Sequence, residues 1–118
     1  MNNIQVAENF LLRGFECKDG SHQVVLHSEL LKRLQSLRSA LGRPVYINSG
    51  YRNPAHNARV GGSQGSDHLR GMAADIHVPG ISPRELAAAA RQAGFRGIGT
   101  YNSFVHVDVR ENRAEWGG

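Results

Sequence analysis

His68, Asp75 and His106 are the residues whose types and surroundings best suit chemistry in this chain. His68 lies in a loop that ends in glycine, Ser66-Asp67-His68-Leu69-Arg70-Gly71, and Asp75 follows in the short apolar run from Ala73 to Val78. A histidine and a carboxylate so placed can converge on one cation. A third ligand comes from Phe104-Val105-His106-Val107-Asp108-Val109-Arg110, where apolar and polar positions alternate. That period marks a half-buried strand, with the valines on one face and His106 and Asp108 on the other. Two imidazoles and one carboxylate leave a fourth position open, as in a catalytic zinc site, where the metal polarises a carbonyl and lowers the pKa of its water to about 7. On spacing alone, the three residues fit an ordinary hydrogen-bonded set equally well. His22, His27, His56 and His77, taken singly, read as surface or core histidines.

The elements that must position these groups follow from local signals. Ser28 to Leu41 reads as a helix, because Leu30, Leu31, Leu34, Leu37 and Leu41 fall on one face, with Ser28 as its cap and Gly42 closing the other end. Pro44 to Asn48 is expected as a strand that delivers Ser49-Gly50-Tyr51-Arg52, and Ala55 to Val60 as a helical turn. Ser82-Pro83-Arg84-Glu85 starts a second helix, with a serine cap, a proline in the first turn and a glutamate to complete a capping box. Phe95 to Tyr101 is a strand leading through Asn102-Ser103 into the His106 strand. From Ile4 to Phe15 the apolar residues Val6, Phe10, Leu11 and Phe15 suit either a short helix or an irregular arm. Residues 1–20 are expected as an N-terminal arm, and 111–118 as a polar tail from which Trp116 docks back on the body. His77 falls on the strand face of Asp75, as a further pocket residue, and Asp67 is expected to face solvent.

The order Ser66-x-His68-x-x-Gly71-x-Ala73-x-Asp75 resembles the motif of the zinc D-alanyl-D-alanine carboxypeptidases and related peptidoglycan peptidases, which share a fold with the hedgehog signalling domain. Ser49-Gly50-Tyr51-Arg52 with Asn57, and Gly97-Ile98-Gly99 leading into Phe-Val-His-Val-Asp, are similar to a small single-domain branch of that family. The resemblance implies an α+β fold, a small antiparallel sheet flanked by helices, with Zn²⁺ held by His68, Asp75 and His106. It also implies a substrate-binding role for Arg52, whose guanidinium can offer a carboxylate two parallel hydrogen bonds. A salt bridge within the fold is the other reading of Arg52. Ser66 is expected to hydrogen-bond the ligands or the substrate. The chain departs from the family where several relatives carry their proton acceptor, an acid three residues before the last zinc histidine or a histidine two before it. Ser103 and Phe104 stand there. Asp108 is the leading substitute as a catalytic residue, with an orienting role on His106 as its alternative; His77 and His56 are further candidates.

At 118 residues the chain is expected to form one domain. The net charge of +4 favours anionic partners, among them bacterial cell wall. Nucleic acid is not expected, because the arginines are scattered and aromatic residues make up 7%. No apolar run approaches the ~18 residues of a membrane span, so no insertion is expected. Cys17 is the single cysteine, which rules out an internal disulfide and a thiolate zinc finger. The N-terminus shows no secretory signal pattern, so the expectation is synthesis in the cytoplasm with release onto the wall as one setting, a phage or prophage enzyme and a host protein fitting equally. The function expected is zinc-dependent hydrolysis of peptidoglycan stem peptides by a monomer. The alternative is a non-catalytic, zinc-stabilised module that binds cell wall or protein.

Overall fold

The computed structural model describes residues 2–117. Near the N-terminus, β1 (Gln5–Ala7) and β2 (Phe10–Leu11) pair as a short antiparallel hairpin, followed by a 3-10 turn over Leu12–Phe15. The expected arm is thus a hairpin and not a helix. It is tied down by the burial of Phe10 and Phe15, and by the Tyr51 amide donating to the Phe15 carbonyl.

Helix α1 (Ser28–Leu41) has the expected bounds, with Leu30, Leu34 and Leu37 buried. Its cap lies one residue earlier than expected: His27 Nδ1 accepts from the Glu29 amide. Gly42 ends it at φ +64°, a left-handed conformation that costs glycine no Cβ strain. Next come β3 (Tyr46–Ser49), α2 (Pro54–Arg59), a 3-10 turn over Asp67–Arg70, and β4 (Ala73–His77). Helix α3 (Pro83–Gln92) carries the full capping box, Ser82 and Glu85 each satisfying the other's amide. It buries Leu86, Ala87 and Ala90. Strands β5 (Gly97–Thr100), β6 (Val105–Asp108) and β7 (Ala114–Gly117) complete the chain.

The main sheet has the order β3-β4-β6-β5-β7. Four strands are antiparallel, as expected, while β7 joins the edge parallel to β5. Ala114–Gly117 of the segment expected as a polar tail is therefore a strand of the sheet; Gly118 lies outside the described residues. Ala74, Ile76, Ile98, Val105 and Val107 pack into one core with α1, α3 and Phe95.

The residues of the opposite face are set by register. Ser49 pairs with Asp75, Asp75 with His106, His106 with Gly99, and Gly99 with Trp116. Paired residues on neighbouring strands project from the same face of a sheet. One row across five strands thus runs Ser49, Asp75, His106, Gly99, Trp116. The next row runs Ala73, Asp108, Gly97, Ala114.

Candidate metal centre

His68 comes to this row from the loop side. Ser66 caps the 3-10 turn, its hydroxyl accepting from the His68 amide at 3.2 Å. Gly71 closes the turn at φ +68°, where a Cβ would lie 2.2 Å from the Val25 carbonyl oxygen, so the position requires glycine. The Arg52 amide donates to the His68 carbonyl, and His68 Nδ1 lies 2.7 Å from the Gly50 carbonyl oxygen. His68 is 2% exposed, so this ring is fixed in place and does not sample solvent.

Hydrogen-bond partners decide what the imidazoles present. A carbonyl oxygen only accepts, so His68 Nδ1 carries the proton and Nε2 presents a lone pair, 3.2 Å from Asp75 Oδ1. His106 Nε2 lies 2.7 Å from Asp108 Oδ2, which places its proton there and turns the Nδ1 lone pair toward Asp75 Oδ1 at 3.1 Å. Three acceptor atoms thus face one another, and only a cation between them, a metal ion or added protons, satisfies all three. One ligand atom from each residue lies within 4.8 Å of the others. The donor set therefore fits a divalent metal. The partners behind each histidine match the usual arrangement at metal centres, where the outer nitrogen donates to a carbonyl or carboxylate that fixes the tautomer.

The carboxylates are held as firmly. Asp75 Oδ2 accepts from Arg52 Nη2 at 3.1 Å, leaving Oδ1 to the histidines. Burial pushes the Asp75 carboxyl up, but in the metal-free protein the hydrogen bonds that His106 and His68 donate when they carry the added protons outweigh it and hold the group below the ordinary carboxylate range. Asp108 behaves similarly, burial being outweighed by bonds from His106 and Arg110. Burial opposes charge on His106, but the bonds to Asp108 and Asp75 prevail and raise its pKa in the metal-free protein.

Several expectations change here. Asp108 is wholly buried, with His106 on Oδ2 and the Arg110 guanidinium across both oxygens at 2.8 and 2.6 Å. With no open oxygen, it is placed to orient His106 and not to take a proton from a water in the pocket. Arg52 is bonded to Ser49, Asn57 and Asp75, the intramolecular salt-bridge reading, although it also lines the pocket. His77 turns aside, pairing with Asn48 and stacking on Tyr46. Neither His77 nor His56 is among the residues lining the pocket. Asp67 does line it, paired with Arg70 at 2.6 Å instead of facing solvent freely.

The pocket above the three ligands has a volume of about 730 Å³. Gly61, Gly62, Ser63, Gly65 and Ser66 form one side, and Tyr101, Phe104, Arg110 and Trp116 another. Buried Asn57 ties the glycine loop to Arg52, accepting from its Nη1 and donating to the Ser63 carbonyl. A side chain at Gly62 would collide with Asn57. Sequence reasoning assigned no site role to Tyr101, Arg110 or Trp116. The signal available was Gly97-Ile98-Gly99, whose two glycines lie beside Asp108 and His106 in the register and leave room for large neighbours.

A sequence model of the peptidase M15 family matches residues 3–108. The chain belongs to this family. It is 37% identical over 87 residues to a zinc D-Ala-D-Ala carboxypeptidase of Streptomyces albus G, an alignment covering 69% of this chain and 34% of that protein. It is 34% identical over 89 residues to the peptidoglycan L,D-endopeptidase MepK of Escherichia coli K12, covering 68% and 49%. The chain thus spans between a third and a half of the length of these relatives. The structure superposes on the Serratia marcescens L-Ala D-Glu endopeptidase ChiX with a TM-score of 0.54 at 22% identity, covering 72% of this chain and 80% of that one. That likeness bears on the fold, which is the α+β arrangement expected.

Proposed function

We propose that this domain is a zinc-dependent peptidase acting on the stem peptides of peptidoglycan. The observation that carries the reading is the convergence of two imidazole lone pairs and one carboxylate oxygen at the floor of an open pocket. His68, Asp75 and His106 would hold the ion, which in such a site polarises a carbonyl and lowers the pKa of its water to about 7. Arg52 keeps Asp75 Oδ1 turned inward by holding Oδ2, and Asp108 fixes the His106 ring. Arg52, Arg70 and Arg110 at the pocket give a peptide carboxylate cationic partners, and Ser66 adds a hydroxyl at the rim. The named relatives, a carboxypeptidase and an endopeptidase of peptidoglycan, support wall peptide as the substrate class. Action as a monomer on the cell wall, from a phage or a host source, belongs to the same reading.

One observation favours a second reading, a zinc-stabilised binding module. Ser103 and Phe104 occupy the positions of the usual proton acceptor, and the one carboxylate lining the pocket besides Asp75, among the described residues, is Asp67, already paired with Arg70. Release of soluble peptide from purified peptidoglycan, with zinc and with chelator, separates the two. Zinc-dependent release supports the peptidase; saturable wall binding without release supports the module.

A further inference from the structure

The row of site residues has two unlike ends. At the β3 end, Ser49 holds Arg52, whose guanidinium reaches Asp75; at the β7 end stands Trp116. Strands lie about 4.8 Å apart, so His106 and Trp116, flanking Gly99, start two spacings from each other. Their ring centroids are nevertheless 5.2 Å apart, because the indole lies across Gly99. A Cβ at Gly99 would sit 2.5 Å from the indole. The indole N–H donates to the Tyr101 hydroxyl at 2.9 Å, Tyr101 stacks on Phe104 at 4.6 Å, and the Arg110 guanidinium lies 5.0 Å from the indole centroid.

The segment that carries this ring is secured from several directions. Glu115 receives a forked pair from Arg91, the Ala114 amide donates to Arg96, and Gly117 follows at φ +80°, where a Cβ would strike the Thr100 carbonyl. So anchored, Trp116 still leaves 36% of its surface exposed, and that ring lines the pocket. A large aromatic held rigid and half open beside a metal centre suits ligand contact better than core packing, since its area is available to a ligand at little cost in conformational entropy.

We propose that Trp116, with Tyr101 and Phe104, forms the apolar wall that seats a small aliphatic side chain of the peptide substrate beside the metal centre, making the last strand a specificity element. The proposal rests on the peptidase reading. A peptide lying along the row places its polar end toward Arg52 and an alkyl side chain on the indole.

Trp116 is the chain's single tryptophan, so its fluorescence reports this wall without interference. Zinc-loaded protein is titrated with the dipeptides D-Ala-D-Ala and L-Ala-D-Glu while emission is followed, and wall-peptide turnover is measured for the parent, Trp116→Phe and Trp116→Ala. The expected result is a saturable emission change with at least one dipeptide. Trp116→Phe should raise KM about tenfold, Trp116→Ala more, with kcat within about threefold and zinc content unchanged. Unaltered KM in both variants, or loss of zinc in proportion to loss of activity, overturns the proposal and leaves Trp116 a prop for His106. Emission that stays fixed while a dipeptide competitively inhibits turnover overturns it as well. A parent protein that binds zinc and shows no turnover overturns the peptidase reading first and this proposal with it, a result distinct from the others.

Discussion

On β6, Val105 and Val107 are wholly buried against the helices, whereas His106 and Asp108, one position along from each, lie on the opposite face, with His106 against His68. The core face is made of interchangeable parts: Leu34, Ile76, Val107 and Ala90 contribute area and volume, and each touches several others of the same kind. The site face is made of single-purpose contacts. Each ligand has one partner that turns it: Gly50 for His68, Arg52 for Asp75, Asp108 for His106. Stability is therefore expected to follow the first face and metal binding the second, and substitutions on each can break or sharpen that division.

The largest effect is expected from Asp75→Asn. It removes the charge on which both imidazoles converge and leaves Arg52 facing an amide, so zinc affinity should fall beyond detection in equilibrium dialysis. Leu34→Ala, on the core face, should lower unfolding stability by about 2 to 5 kcal/mol in urea titrations, through lost transfer energy and a cavity. Zinc bound per folded chain should stay the same. Asp108→Asn should come next, weakening zinc by about 10- to 100-fold while the fold persists, as is typical when the partner behind a ligand is lost. A calorimetric zinc titration reads this directly, and unchanged affinity would remove Asp108 from the site. The smallest effect is expected from Glu115→Gln, which loosens an exposed pair with Arg91 and should leave zinc affinity untouched.

Acid and base separate the faces further in the metal-free protein. Asp75 and Asp108 have depressed pKa values, so their contribution is present above an unfolded value near 4 and is lost as pH falls through the lower folded values. His106 has a raised value, so its contribution is full below about 6.5 and is lost as pH rises through the folded value. Metal-free stability should thus be greatest between roughly pH 4 and 6.5. Zinc should restore it above neutrality, since metal binds the deprotonated imidazoles. Thermal unfolding across pH, with and without zinc, checks both halves, and a metal-free profile flat through this range would contradict the assignment.

Much of this division was legible in the sequence, and the exceptions have physical causes. The alternation from Val105 to Val109 and the Ser82-Pro83-Glu85 start are local signals, and strand β6 and helix α3 follow them. The alternation gave the face of Asp108 but not its depth; the carboxylate lies over Gly97, where a Cβ would come within 2.0 Å of Oδ1, and so is closed to solvent. The arm over residues 4 to 15 was ambiguous because its apolar spacing fits a helix, while the hairpin depends on distant partners such as Gln35, which accepts from the Asn9 amide and donates to its side chain. Strand β7 shows no alternating apolar pattern because it lies at the sheet edge, mostly exposed, and its state is set by pairing with β5. Trp116 could be expected to dock, but only the register reveals that it docks on His106.

Zinc stoichiometry is the most direct test of the central claim. Protein stripped with chelator, reloaded, dialysed and assayed by elemental analysis should hold one zinc ion per chain, and Asp75→Asn, folded by circular dichroism, should hold none. A parent that retains no zinc, or a folded Asp75→Asn variant that retains as much as the parent, would contradict the assignment of His68, Asp75 and His106 as a metal centre.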